Sequence, residues 1–118
     1  MVKTKRLTVF ALILIVIMLA VGCGEKTPEG FTEDEYEKCK KVLNITNEFL
    51  NADISAEEAS NKLEVLSDQL DSDNSTPDLI GTYAALIASE IKRYNIDGWS
   101  SHIDEIVEYR DKIQEKLE

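Results

Sequence analysis

The sequence predicts an all-α fold, a small antiparallel up-and-down four-helix bundle spanning residues 31–118. Apolar side chains recur at three- and four-residue steps in four successive segments of that region. Helix-start signals precede the segments, and connections of about four to six residues favour antiparallel neighbours. No alternating stretch is long enough to make a useful strand.

The first helix is announced by Thr32-Glu33-Asp34-Glu35, a capping box in which the Thr hydroxyl accepts from an orphan amide and Glu35 reaches back to the cap. The acids of its first turn also suit the positive end of the helix dipole. Tyr36, Cys39, Val42, Leu43, Thr46, Phe49 and Leu50 then mark one face of a helix running to about Asn51. Ser55-Ala56-Glu57-Glu58 repeats the box, with Ile54 and Ala59 placed as a hydrophobic staple. Behind it, Ala59, Leu63, Leu66 and Leu70 form a narrow stripe suited to a seam between helices. Asp71 to Ser75 is a turn-rich break.

Thr76-Pro77 opens the third helix, with proline expected at its first position, where a missing N–H is harmless. Its apolar set is broad (Leu79, Ile80, Tyr83, Ala84, Leu86, Ile87, Ile91 and Tyr94) and marks the most buried element. Asn95 to Gly98 ends it. Ser100 or Ser101 begins the fourth helix, which carries Ile103, Ile106, Val107, Arg110, Ile113 and Leu117.

Acids outnumber bases 23 to 13, a formal charge of −10, which excludes ordinary nucleic-acid binding because phosphate recognition needs clustered Lys and Arg. One His and two Cys are too few for a Cys/His zinc site within one chain. No cofactor and no metal is therefore expected. Asp71-Ser72-Asp73-Asn74-Ser75 has the oxygen spacing that opens a calcium loop, but Thr76 and Thr82 stand where that loop needs Gly and a bidentate Glu. A solvated turn is the reading that remains.

Residues 1–22 have a different character. Lys3, Lys5 and Arg6 precede an apolar run from Leu7 to Val21, and Gly22-Cys23 follows. A positive end, a short apolar stretch and small residues before a cut make the secretory pattern. The run falls short of the roughly 20 residues that cross a hydrocarbon core, which sets a permanent membrane-spanning anchor behind a cleaved leader.

Leu19-Ala20-Val21-Gly22-Cys23 resembles the lipobox of bacterial lipoproteins, a small residue just before a cysteine. Ala20 stands where that class usually has Leu. The resemblance covers only the leader and implies acylation of the Cys23 thiol, cleavage after Gly22, and a lipid anchor on the extracytoplasmic face of a bacterial cell membrane. Ala20 and Gly22 equally fit the small-x-small rule of ordinary signal peptidase. That cut gives a freely secreted protein in which Cys23 is available to pair with Cys39. In the lipoprotein reading, residues 23–30 are a flexible tether reaching roughly 25 Å when extended. The Asn44-Ile45-Thr46 and Asn74-Ser75-Thr76 glycosylation patterns are then chance matches.

Without residues 1–22 the chain loses three bases and no acid, leaving ten bases against 23 acids. Anionic lipid repels such a domain, so it is expected to stand off the bilayer. Cys39, on the apolar face of the first helix, reads as a small buried hydrophobe. Ser100, Ser101, His102 and Asp104 suggest a hydrolase only superficially, because adjacent helical residues do not face one another; serine capping beside an exposed histidine is the expectation. Trp99, the single tryptophan, follows Asp97-Gly98 at the joint of the last two helices. It is either an apolar plug for the core or, if exposed, an anchor for a protein partner, with Tyr94 in the same patch.

The functional expectation is a non-enzymatic, membrane-tethered binding or accessory module. Its partner would be an extracytoplasmic protein with a basic surface, engaged through Trp99 and Tyr94. The alternative is a small-molecule or cation carrier with a pocket inside the bundle, for which Arg110 is the one inward-facing ionisable residue.

Overall fold

The computed structural model describes residues 27–118; the leader and Cys23 lie outside the described residues. Four helices follow in order: α1 Glu33–Leu50, α2 Ala56–Gln69, α3 Ser75–Asp97 and α4 Ser100–Leu117. Each packs on the next, α4 closes against α1, and α3 also reaches α1 across the middle. This is the expected four-helix bundle. The core is drawn from every helix: Cys39 and Val42 from α1, Leu63 and Leu66 from α2, Ile80, Ile87 and Ile91 from α3, and Ile106 and Ile113 from α4. Both α1 and α3 touch all three other helices, and α3 has the more extensive contacts, as the breadth of its apolar set implies.

The helix starts follow the sequence with physical adjustments. The Thr32 box is complete, the Glu35 amide donating to Thr32 Oγ1 at 3.1 Å and the Thr32 amide to Glu35 Oε1 at 2.9 Å. At α2 only half of the second box forms: Ser55 Oγ accepts from the Glu58 amide at 3.1 Å, while Glu58 turns its carboxylate to Lys62 at 2.9 Å. Proline is not the first residue of α3. The helix starts at Ser75 with Asn74 as its cap, so Pro77 is third, still among the first four positions whose N–H has no intrahelical partner. Asn74 gives its side chain to another task, donating Nδ2 to both Glu35 oxygens at 3.0 and 3.2 Å. That contact ties the start of α1 to the start of α3 and, after the Thr32 amide, helps hold the Glu35 carboxyl below its ordinary range.

Two backbone features set how closely the helices meet. Gly81 lies against the last turn of α2, where an added Cβ would stand 3.0 Å from Leu70 Cβ and 3.2 Å from the Ser67 carbonyl oxygen. Gly98, at φ 70°, takes the left-handed turn that stops α3, its N–H donating to the Tyr94 carbonyl at 2.8 Å. The α3–α4 connection is then only Gly98 and Trp99, shorter than the expected four to six residues. That brevity decides where the tryptophan goes.

Candidate functional site

Trp99 is the N-cap of α4, in extended geometry and without a side-chain cap. Neither Ser100 nor Ser101 caps the helix; both are within it. A two-residue corner gives the indole no slack to fold into the core, and it is 67% exposed. Trp99 therefore does not plug the bundle. Its ring stacks on His102, with centroids 6.5 Å apart and planes at 12°.

His102 is not the exposed histidine the sequence suggested; only 15% of its side chain is exposed. Its Nδ1 lies 2.7 Å from Glu90 Oε2 on α3, and its Nε2 lies 3.0 Å from Asp97 Oδ2. Two carboxylates on two ring nitrogens are both satisfied only by the doubly protonated ring. Asp97 extends the clamp, its other oxygen accepting the Trp99 N–H at 2.9 Å. On the far side Glu90 also receives Arg93 at 3.0 Å. The indole thus leans on a histidine ring held from both sides by carboxylates.

The clamp moves the titrations in opposite directions. Hydrogen bonds to Asp97, then to Glu90, raise His102 above its ordinary 6.5 against the opposing effect of desolvation. The Trp99 amide, then His102, holds Asp97 below its ordinary 3.8. The histidine stabilisation is complete below about pH 6.5 and is lost as pH rises through the raised folded value; the aspartate stabilisation is complete above about pH 4 and is lost on acidification. Stability from this corner should therefore peak between those limits. As the only histidine, His102 should give a single imidazole titration by NMR, displaced upward. Between pH 6 and pH 8.5 the native chain should lose more urea stability than His102→Gln does; equal losses would show that the clamp does not form.

Tyr94 points elsewhere. It is half-buried and meets Phe49 of α1 edge-on, with centroids 6.3 Å apart and planes at 86°. The exposed apolar side chain at this end of α3 is Ile96, 84% exposed. Ile96 sits five residues beyond Ile91 and off the apolar stripe, the one sign in the sequence that it faces out. It also borders a groove of about 370 Å³ between α2 and α3, lined by Ala56, Glu57, Ser60, Asn61, Lys92 and Asn95.

The remaining candidates fall into structural places. Cys39 is fully buried, and burial followed by the charge of Glu35 pushes its thiol up to about 12. At pH 8 only roughly one thiol in 10⁴ is ionised on that value. Iodoacetamide should leave Cys39 unmodified until denaturant is added, and labelling at the rate of a free thiol would contradict its burial. Arg110 lies between α4 and α1, its guanidinium 3.4 Å from Asn47 Oδ1 and 2.9 Å from Asp111 Oδ1, and does not line the groove. Both His102 nitrogens face carboxylates, so Ser100 and Ser101 are not joined to it as a nucleophile pair. In the Asp71–Ser75 turn, Ser72 Oγ accepts the Asn74 N–H at 3.2 Å.

Among the described residues there is no group of three or more His, Cys, Asp or Glu side chains placed to hold a metal ion. No helix among them is long and apolar enough to cross a membrane. Comparison with known proteins finds no matching family model, no matching curated protein and no matching solved structure.

Proposed function

We propose that the chain is a lipid-tethered extracytoplasmic module that binds a protein partner and performs no catalysis. The exposed Trp99 carries this reading: a large aromatic held outward on a braced corner is the side-chain type that dominates binding energy at interfaces. The lipobox-type sequence ending at Cys23 supplies the anchor, and the seven residues after it supply the reach. Two or more acyl chains would hold the protein, whereas one would hold it only reversibly.

The acidic excess of the domain favours a partner with a basic surface, by speeding encounter more than by adding affinity. Relative to the sequence reading, the binding pair changes from Trp99 with Tyr94 to Trp99 with Ile96, since Tyr94 leans on Phe49. The carrier alternative has less behind it: the groove is open to the surface, and Arg110 is tied to Asn47 and Asp111.

The test is Trp99→Ala in the native chain. Its partner should be lost on co-purification, while stability changes by no more than about 1 kcal/mol because the ring is mostly solvated. Retention of the same partner at the same occupancy would remove Trp99 from the interface.

A further inference from the structure

We infer that the α3–α4 corner is carried at the membrane-distal end of the bundle and docks a basic protein segment bearing an apolar side chain. This rests on the tethered-module reading and adds the direction of approach and the chemistry of the partner.

Direction follows from topology. The chain enters α1 beside the start of α3: Glu35 bonds Asn74, and Gly30 lies against Thr76. From there α3 runs 23 residues to Asp97, about 35 Å at 1.5 Å per residue. The longest dimension of the fold is 39 Å, so Trp99 and Ile96 lie close to a full bundle length from the point where the tether attaches. A lipid at Cys23 therefore places the corner at the end of the bundle opposite its anchor.

Chemistry follows from what surrounds the exposed pair. Ile96 and Trp99 are 84% and 67% exposed, against 54% for Val65 and 40% for Leu86 on the helix flanks. The groove beside Ile96 has room for a partner's aliphatic side chain. The cations nearby are already matched: Lys62 to Glu58, Lys92 to Glu64, and Arg93 to Glu90. Glu57 on the groove wall has no ion-pair partner among the described residues. An apolar groove with the Glu57 carboxylate on its wall complements a hydrophobic residue next to lysine or arginine, and the acidic excess of the domain favours the same partner. A second copy would bring the same acidic excess, and an anionic bilayer would repel it.

The single tryptophan is its own reporter. The full chain, purified from its membrane, is placed in phosphatidylcholine nanodiscs with and without doxyl-labelled lipid. It is titrated with a Trp-free Leu/Lys peptide, with a Leu/Glu peptide, and with a Lys/Ser peptide. The expected result is a saturable blue shift with Leu/Lys alone, weakened about tenfold or more by Ile96→Ser and by Glu57→Lys. Doxyl lipid should not quench the emission. Quenching by doxyl lipid would place the corner on the bilayer and overturn the proposal. So would equal binding of Leu/Lys and Lys/Ser peptides, indifference to both variants, or no spectral response. A chain that proves unacylated and absent from the discs would sink the tether alone; the same titration in free solution would still decide docking.

Discussion

Ile87→Ala should lower the unfolding free energy by about 2–5 kcal/mol. Ile87 is fully buried near the middle of α3, a helix packed against all three others, so no single neighbour can move in to fill the space. The lost transfer energy is then joined by the energy of a residual cavity. A domain of this size has roughly 5–15 kcal/mol in total, so the fraction removed is large, and Tm should fall by about 10 °C or more. Leu86→Ala is the internal control, one residue away on the same helix but 40% exposed. It should change stability by no more than about 1 kcal/mol, and urea denaturation of both variants would measure the contrast. Equal effects at the two positions would mean that α3 is rotated from the orientation described.

Gly81→Leu should destabilise by about 3 kcal/mol, at the upper end of what overpacking does. The atoms an added Cβ would meet, Leu70 Cβ and the Ser67 carbonyl oxygen, belong to the last turn of α2 and are not the free end of a flexible side chain. Alanine at the same place has two opposed effects. It gains about 1 kcal/mol of helix propensity and needs a few tenths of an ångström of adjustment between α2 and α3. Gly81→Ala should therefore stay within about 1 kcal/mol of the native chain, and the longer side chain should not. Thermal or urea unfolding of the series Gly, Ala, Leu checks this; a flat series would show that the helices do not approach so closely at that point.

The bundle was legible because its signals are local. Thr32 with Glu35, Ser55 with Glu58, and the stripes through Leu63 and Ile87 each depend on residues a few positions apart, and each formed the expected helix. What escaped the sequence depends on partners farther along the chain or on the length of a turn. Asn74 is a good cap residue by type, yet its side chain goes to Glu35, 39 positions earlier. Glu90 and His102, 12 apart, meet only because the corner is two residues long. That same brevity turned Trp99 outward, while Tyr94, one helical step beyond Ile91, meets Phe49. Ile96 alone gave a warning, by standing off the stripe. The site is thus less legible than the fold for a physical reason: helix periodicity fixes faces, whereas the geometry of a corner fixes which side chains share one.

The measurement that bears most directly on a tethered binding module is native mass spectrometry of the chain extracted in mild detergent through a C-terminal tag. The predicted species begins at Cys23, carries added acyl mass, and holds a stoichiometric basic protein that is missing from the Trp99→Ala preparation. An unmodified chain, or an acylated one whose companions are the same with and without Trp99, would contradict it.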